Sequence, residues 1–508
     1  MATKANEFDK GQEPLLVEDA STSTTPWTPL FWLPCTFDPA VFTDVMINLI
    51  KNPNINSSWL FRADILHDEE GEEALAGPSS VDYQLQIPSF SGFQCKRYMI
   101  RKLIPRNTLR DDPLDQTCLT YESTASDERQ TLVVYLPHLS SPDNVPFYHP
   151  KVRGIAFLHR WNAQDTAGNI SISYLFFPGL EPTTKLTRTA LHLLAVIGKH
   201  GEGRVTGYVK RVHHDIVIPQ APFQNRYAAL KQKYAKPLID GWAETTDPLK
   251  HVFEDLGIAA FLIELWAEMY AATTTTPFPG FVDIGCGNGL LVYILNQEGY
   301  TGWGFDARAR KSWETYNTRV VISGTEQDSL RQSVLVPSVL LPSSPSPTTA
   351  ADPSPDSTTI HPGLFPHGTF MISNHADELT PWTPILATLS QSPFVMIPCC
   401  SHSLTGAKYR APPPKDKTKS ESAYSSLVAW VEDIARDCGW EVETEMLRIP
   451  STRNTALLGR RRITGEEFGE EEEEVVVQDM ERVVRKYGGA EGWVENAMRL
   501  VKTGPRGH

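Results

Sequence analysis

The periodicity of hydrophobic and polar positions changes along the chain between strand-like and helical spacing. From residue 27 to about 162, short apolar runs such as 131–136 and 154–158 are typical of strands. The segment 39–51 has the apolar spacing of a helix, at Val41, Val45 and Leu49. The pattern therefore predicts a mixed α+β domain in the N-terminal part of the chain.

Beyond a predicted helix at 252–270, helical and strand-like periods alternate, which indicates a mostly parallel α/β sheet. The predicted strands that follow are 281–284, 301–306, 369–373 and 394–398. The predicted helices are 290–298, 312–320 and 424–438. Two last strands, near 441–449 and 455–459, are close enough in sequence to form an antiparallel pair at the sheet edge.

Polar and low-complexity stretches interrupt these patterns and suggest the domain boundaries. Residues 335–363 are rich in Pro, Ser and Thr, and residues 411–422 in Pro and Lys, so both are expected to be flexible insertions. The predicted regions are a disordered leader at 1–26, an N-terminal domain at 27–236, a second domain at 237–463, and an acidic stretch with a C-terminal helix at 464–508.

Charge is distributed unevenly over the 508 residues. The formal net charge is −14, yet the segment 185–236 contains ten Lys or Arg residues and two acids. Within it, Lys210, Arg211 and His213 combine cationic and imidazole groups that can hold phosphates, which predicts an RNA-binding segment. An ordinary solvated charged face is the alternative interpretation.

The apolar runs, the N-terminus and the cysteines indicate in which cellular compartment the protein is expected. No run of about 18 apolar residues occurs, and the N-terminus lacks the pattern of a secretory signal. The seven cysteines are odd in number and have no paired CxxC spacing, which favours reduced thiols over a disulfide framework. We therefore expect a cytoplasmic protein without a membrane partner.

A glycine-rich segment at 281–289 carries the clearest chemical signal. A buried strand containing Asp283 precedes Gly285, Gly287 and Gly289, and an apolar helix follows. Glycines let a ligand approach the backbone closely, and the helix N-terminus offers unpaired N–H groups. The spacing G-x-G-x-G differs from the G-x-G-x-x-G of dinucleotide-binding enzymes and is similar to the methyltransferase pattern.

The next strand ends at Asp306, where a carboxylate can accept hydrogen bonds from an unphosphorylated ribose diol. Together with the glycines, Asp306 predicts a site for S-adenosyl-L-methionine. The cations Arg308, Arg310 and Lys311 follow directly. They either grip phosphate groups of an RNA or solvate the start of a helix.

Polar residues after the strand at 369–373 are the candidates for catalysis. Asn374 is expected to contact the cofactor, Asp377 is the first candidate for general base, and His375 is the second. Glu378 either takes part in catalysis or fixes the loop. The alternative is that Asp377 and Glu378 cap the helix that begins at Leu379.

Two adjacent cysteines and a histidine, in the motif Cys399-Cys400-Ser401-His402, could suggest metal ligands. However, adjacent cysteines rarely converge on one ion, and no second pair is nearby in sequence. We therefore predict no metal and place this motif at the edge of the sheet where ligands bind.

Four segments of the chain are similar to those of a known protein family, and they are 242–255, 373–382, 397–402 and 448–454. They resemble the eukaryotic, fungal-like tRNA (uracil-2'-O-)-methyltransferases, and the resemblance covers roughly residues 130–462. It implies a Rossmann-like class I methyltransferase domain. It also implies methyl transfer to the ribose 2'-hydroxyl of uridine 44, beside the variable arm of serine tRNA.

Other functions remain compatible with the residues alone. One is a noncatalytic tRNA-binding protein with a degenerate methyltransferase fold. Another is a methyltransferase for a different RNA, a protein or a small molecule. The intact glycines and Asp306 favour an enzyme, and the basic segment 185–236 favours an RNA over a small molecule. No DNA partner is expected.

Overall fold

The computed structural model divides into two compact units, Met1–Arg211 and Val212–His508. It describes residues 5–9, 15–18, 26–71, 87–107, 110–123, 129–207, 214–270, 277–322, 324–340, 359–463 and 473–502. Within these ranges, no helix combines the length and apolarity that crossing a bilayer requires.

The N-terminal unit is built on an antiparallel sheet. Its strands are β1 (Asn6–Glu7), β2 (Thr28–Cys35), β3 (Leu60–Glu70), β4 (Phe93–Pro105), β5 (Leu114–Ser123), β6 (Arg129–Pro137), β7 (Gly154–Asn162) and β8 (Ala167–Leu175). Their order across the sheet is β1-β2-β8-β7-β6-β5-β4-β3. Among the described strands, six of the seven neighbouring pairs are consecutive in sequence, and the exception is β2 with β8. The helices in the described part of this unit are α1 (Pro39–Lys51) and α2 (Thr184–Val205).

Both helices pack on one face of this sheet. Phe42 of α1 and Leu194 of α2 are fully buried in the same cluster as Val133 of β6. Asp38 caps α1 by accepting a hydrogen bond from the Val41 N–H, which satisfies an otherwise unpaired donor. Sheet and helices together give the mixed α+β architecture that the apolar pattern predicts.

The N-terminal leader differs from the expectation of a disordered segment in the part that is described. Asn6 and Glu7 pair with Phe31 and Trp32 of β2. Leu16 is 3% exposed and belongs to the cluster on the sheet face opposite the helices. The physical reason is that backbone pairing with β2 and the burial of Leu16 hold the described residues against the sheet. The polar composition of the segment indicates neither contact.

The C-terminal unit alternates strands and helices. Its strands are β9 (Phe281–Ile284), β10 (Gly302–Asp306), β11 (Arg319–Ile322), β12 (Thr325–Asp328), β13 (Leu330–Gln332), β14 (Val334–Leu335), β15 (Ile360–His361), β16 (Phe370–Asn374), β17 (Phe394–Ile397), β18 (Trp440–Met446) and β19 (Thr455–Arg462). Its helices are α3 (Gln220–Asp240), α4 (Pro248–Met269), α5 (Leu290–Gln297), α6 (Trp313–Tyr316), α7 (Thr383–Leu389), α8 (Ala423–Asp437), α9 (Glu473–Lys486) and α10 (Trp493–Lys502).

The main sheet of this unit has the order β13-β10-β9-β16-β17-β19-β18 among the described residues. The first five strands are parallel, and β19 runs antiparallel to both β17 and β18. This confirms the predicted antiparallel pair at the edge. The strand order reverses between β9 and β16, the point at which open α/β sheets bind ligands beyond their carboxyl ends.

The boundary between the units lies earlier in the chain than the sequence suggests. Helix α3 lies in the second unit, where Leu230 and Tyr234 join the same core as Val252 of α4. The sequence places the boundary near residue 236 because the basic segment 185–236 continues past residue 211, where the structure divides the chain. The described charged residues of this segment lie on the protein surface and do not determine the domain to which α3 belongs. The apolar face of α3 determines that, because it packs in the core of the second unit.

The two ends of the first insertion lie within the described part of the chain. β14 and β15 form a two-stranded parallel sheet that brings residues 335 and 361 together across the insertion. Residues 341–358 lie outside the described part of the chain. The expected flexibility of 335–363 therefore stays a prediction for its centre.

Candidate active site

Three glycines form the turn between β9 and α5, and each has a positive φ angle. The angles are 74° at Gly285, 53° at Gly287 and 77° at Gly289, a region in which a Cβ is strained. A Cβ on Gly287 would meet no atom within 4 Å, whereas one on Gly289 would lie 2.5 Å from Leu330 Cδ1. Open space therefore adjoins Gly287, while Gly289 permits close packing.

The Asp306 carboxylate lies beside this turn, at the end of β10. Its Oδ2 accepts a hydrogen bond from the Gly287 N–H, and its Oδ1 accepts one from the Arg308 N–H, each at 3.1 Å. Burial raises the pKa of Asp306, and the neighbouring Arg310 partly offsets that effect. The backbone thus orients an acceptor that has lone pairs left for ligand hydroxyl groups.

A cavity of about 890 Å³ lies where the parallel strands end. Its volume falls within the range of roughly 300–1,000 Å³ that is usual for small-molecule and cofactor sites. A smaller cavity of about 200 Å³ is also present. The residues that line both cavities include Gly285, Gly287, Arg308, Arg310 and His375.

Segments that are distant in sequence supply the wall of the larger cavity. They lie before and within α4, after β16, after β17, and between β18 and β19. Their lining residues include Glu244, Lys250, His251, Glu254, Asp255, Asn374, His375, Cys399, Cys400, Ser451 and Arg453. Each of the four segments that carry the family resemblance therefore contributes to one cavity.

His375 and Glu254 form a polar pair in this wall. His375 Nε2 lies 3.0 Å from Glu254 Oε1. Burial, the largest single effect, raises the pKa of Glu254, but the hydrogen bond and charge of His375, with smaller contributions from Ser451 and Lys250, together lower it below its usual value. An ionised Glu254 accepts the Nε2–H, which leaves Nδ1 as an acceptor. Nδ1 is buried and has no hydrogen-bond partner among the described residues.

Buried acids surround Asn374, the residue before His375. The Asn374 side-chain amide donates to Asp255 Oδ1 at 3.3 Å. Burial, together with the nearby Glu254, raises the pKa of Asp255 to about 8, so Asp255 is mostly protonated at neutral pH. Burial also raises the pKa of Asp283, which is 1% exposed. Asn374 Oδ1 has no partner within the described ranges and can accept from a ligand amino group.

Asp377 lies in a strained part of the loop that follows β16. The φ angles are 51° at His375 and 44° at Asp377, both unusual for residues with a side chain. Asp377 Oδ1 accepts a hydrogen bond from Cys399 Sγ at 3.1 Å. Glu378 Oε1 lies 3.7 Å from His402 Nε2. These contacts connect the loop after β16 to the motif after β17.

The two adjacent cysteines contact each other as well as Asp377. The interaction between the two thiol groups lowers the pKa of Cys400 and raises that of Cys399. Ligand atoms of Asp377, Cys399 and Cys400 lie within 4.8 Å of one another, an arrangement that could hold a metal ion. The backbone after β17 therefore lets adjacent cysteines converge, which their spacing does not suggest. The absence of a metal stays a prediction.

The predicted RNA contacts have different outcomes. Arg308, Arg310 and Lys311 line the larger cavity, so they lie at the ligand site rather than on a distant surface. The residues Lys210, Arg211 and His213 lie outside the described part of the chain.

The C-terminal helix is an unexpected part of the site. The sequence predicts a helix in this acidic region, whose polar composition favours a solvated or partner-facing surface. Yet Trp493 is 1% exposed and donates its Nε1–H to the Leu335 carbonyl at 3.0 Å. Ala497 and Leu500 line the smaller cavity, and Val501 lines the larger one. The apolar positions of α10 form one face, a signal that the many charges in this region obscure.

The structure brings most predicted site residues together. Besides Arg308, Arg310 and Lys311, the predicted residues that line one or both cavities are Gly285, Gly287, Asp306, Asn374, His375, Asp377 and Glu378. Asp283 lies beneath the turn and Gly289 packs against Leu330, so neither is among the lining residues. Glu254 and Asp255 were not singled out from the sequence. The available signal was a pair of adjacent acids on a largely apolar helix, where burial is costly unless the acids are paired.

Two family models match this chain. Residues 6–211 match a model described as "TRM44-like, N-terminal bet v1-like domain". Residues 217–337 match a model described as "Predicted AdoMet-dependent methyltransferase". The gap between the two matches coincides with the boundary between the two compact units.

Curated fungal proteins match nearly the whole chain, and the relatives described next are each named tRNA (uracil-O(2)-)-methyltransferase. The Neurospora crassa protein is 56% identical over 504 residues, which cover 96% of each chain. The Schizosaccharomyces pombe protein is 41% identical over 92% of this chain and 91% of its own. The Saccharomyces cerevisiae protein is 36% identical over 97% and 96%, respectively. This chain therefore belongs to the tRNA (uracil-O(2)-)-methyltransferase family and is an S-adenosylmethionine-dependent methyltransferase.

Proposed function

We propose that this enzyme methylates the ribose 2'-hydroxyl of a uridine in tRNA, at uridine 44 of serine tRNA. The relatives' names support tRNA as the substrate and uridine as the target. The observation that carries the proposal is the convergence of the glycine turn, Asp306 and the four resembling segments on one cavity. The serine tRNA and the position follow only from the family resemblance.

The C-terminal unit is proposed to be a Rossmann-like class I methyltransferase domain. Numbered by their order of appearance in the main sheet, its strands lie in the order 3-2-1-4-5-7-6. The first five positions agree with the doubly wound order 3-2-1-4-5-6 of Rossmann folds. The seventh strand inserts antiparallel between the fifth and sixth, which gives the edge its mixed character.

The cofactor is proposed to extend across both cavities. The methionine part would lie over Gly285 and Gly287, where the space beside Gly287 is open. The Asp306 carboxylate would accept hydrogen bonds from the ribose hydroxyl groups. The adenine would fit the smaller cavity, between Val334 and Leu500. Buried Asn374 Oδ1, which has no partner in the described part of the chain, supports a polar ligand group at the reactive end.

When bound, S-adenosylmethionine supplies an electrophilic methyl group on a sulfonium. The protein must then position the ribose hydroxyl in line with that methyl group and accept its proton. The sequence places Asp377 first for this role and His375 second. The contacts favour His375, because Glu254 orients its ring and Nδ1 is left as the acceptor.

Asp377 is better suited to holding the loop. Its carboxylate already accepts a hydrogen bond from Cys399, which ties the loop after β16 to the segment after β17. Glu378, near His402, would fix the same loop from its other side. Arg308, Arg310 and Lys311 would contact phosphates of the tRNA that flank the target nucleotide.

Nucleoside analysis of total tRNA tests the proposed reaction. Purified protein is incubated with cofactor that carries a labelled methyl group and with tRNA from cells that lack this activity. The tRNA is then digested to nucleosides. We expect the label in 2'-O-methyluridine. Label in a base-methylated nucleoside would contradict ribose methylation, and label in protein alone would contradict tRNA as the substrate.

A further inference from the structure

We propose that an exposed group of aromatic and cationic side chains on the N-terminal unit binds unpaired nucleotides of the RNA substrate. This group, the aromatic platform, consists of Trp59, Phe147, Arg106, Arg110 and Lys185. The inference rests on the proposed function, because it names the part of the tRNA that this unit recognises.

Two large aromatic rings lie side by side at the surface. Trp59 is 46% exposed and Phe147 is 54% exposed, and their ring centroids are 5.3 Å apart at an angle of 79°. Single exposed apolar residues are common, but two exposed rings in contact form a patch that indicates a binding site. Arg110 lies over the Trp59 ring and Lys185 over the Phe147 ring, so a base would stack on the exposed part of each ring that its cation leaves uncovered.

Cations accompany both rings. The Arg110 guanidinium lies 5.3 Å from the centroid of Trp59 and 5.8 Å from that of Phe147. The Lys185 ammonium lies 4.2 Å from the Phe147 centroid. The Asp111 carboxylate lies 3.8 Å from Arg110 and offsets part of its charge. Asp112 and Asp115 also lie near this loop, where with Asp111 they raise the pKa of Tyr148. Lys185 therefore offers the stronger phosphate contact.

Hydrogen bonds between loops hold the platform in place. The Arg106 N–H donates to the Trp59 carbonyl at 2.9 Å, and Arg106 Nε donates to the Ser58 carbonyl at 2.7 Å. The Tyr148 hydroxyl donates to the Asp112 carbonyl at 2.7 Å, which connects the loop of Phe147 to the turn after β4. Because these loops are tied together, the rings lose little freedom on binding.

These properties favour one class of ligand. Bases inside a duplex are stacked on each other, whereas unpaired bases in loops can stack on aromatic side chains. A cation beside each ring can contact the phosphate of the same nucleotide. We therefore infer that the ligand is a single-stranded or looped part of the tRNA rather than a helical stem.

The test compares two RNA probes on the full-length protein. One is a fluorescein-labelled single-stranded RNA oligonucleotide rich in uridine, and the other is a duplex RNA of the same length. Fluorescence anisotropy gives the Kd of each, and tRNA binding and methyl transfer are measured in parallel. The test variant is W59A/F147A, the conservative variant is W59F/F147Y, and the matched control is L66A, because Leu66 is 47% exposed on β3 of the same unit.

We expect W59A/F147A to raise the Kd for single-stranded RNA about tenfold or more, which is the size of one lost stacking contact. W59F/F147Y and L66A should remain close to wild type, and duplex binding should change little. The platform is overturned if wild type does not bind the single strand, or if a folded W59A/F147A protein binds it normally. Either result leaves the proposed function intact while wild type methylates tRNA, and the absence of tRNA methylation would overturn that function instead.

Discussion

His375 Nε2 lies 3.0 Å from Glu254 Oε1, which joins the loop after β16 to the buried face of α4. The pair connects two segments more than a hundred residues apart and lies in the wall of the larger cavity. A carboxylate that orients a histidine is the usual arrangement for activating a hydroxyl group. The chemical roles of this pair and of Asp377 can be separated experimentally.

The first prediction concerns the acceptor of the hydroxyl proton. His375→Gln removes the acceptor while keeping a polar side chain, so we expect single-turnover methyl transfer to fall by about 10²-fold or more. Cofactor and tRNA affinities should stay near wild type. Asp377→Asn should reduce the rate less, because this change affects mainly the loop. A larger loss in Asp377→Asn than in His375→Gln would restore Asp377 as the base.

The second prediction concerns the space beside Gly287. Gly287→Val places a side chain in that space, so we expect calorimetric titration to detect no S-adenosylmethionine binding. The positive φ angle adds a strain of about 1–3 kcal/mol in stability. Gly299→Val is the matched control, because Gly299 has a φ of 89° and equally open surroundings but lies outside both cavities. Equal cofactor affinity in the two folded variants would contradict the assignment.

The third prediction tests the C-terminal helix as a wall for the adenine. Leu500→Ala removes apolar contact area, so we expect cofactor binding to weaken by about 1–2 kcal/mol. Val494 lies on the same helix, is 43% exposed and does not line either cavity, so Val494→Ala serves as the control. Titration of S-adenosylhomocysteine measures both affinities. Identical values for the two variants would show that α10 has no role in binding.

The fourth prediction concerns pH. The pKa of Asp255 is about 8 in the folded protein and about 3.9 in an unfolded chain, so between these values the folded state binds more protons. Stability contributed by this group is therefore lost as pH rises from about 4 to 8. We expect the Tm of wild type to fall relative to that of Asp255→Asn between pH 5 and pH 9. A Tm difference that stays constant with pH would contradict a buried, protonated Asp255.

Periodicity and motif spacing were sufficient to predict the parallel sheet, the glycine turn and the position of Asp306. They failed where tertiary contacts decide the structure. The helix predicted at 312–320 ends after Tyr316, and the β-branched Val320 and Val321 instead form the strand β11. β-branched residues fit a pleated surface better than a helix, so the local composition did carry this signal.

The chemistry of the site was harder to predict than its location. Glu254 pairs with His375 across more than a hundred residues, and sequence spacing gives no information on such a contact. The same holds for Asp377 with Cys399, and for Trp493 with the Leu335 carbonyl. Charge-rich composition also concealed the buried face of α10, because the few apolar residues that decide its packing are outnumbered.

The most direct test of the proposed reaction removes one oxygen atom, that of the ribose 2'-hydroxyl group, from the substrate. Two serine tRNAs are prepared that differ only at position 44, where one has uridine and the other 2'-deoxyuridine. Methyl transfer to each is measured with the full-length enzyme under single-turnover conditions. We predict stoichiometric methylation of the uridine tRNA and none of the deoxyuridine tRNA. Equal methylation of both would place the methyl group elsewhere and contradict ribose 2'-O-methylation at this position.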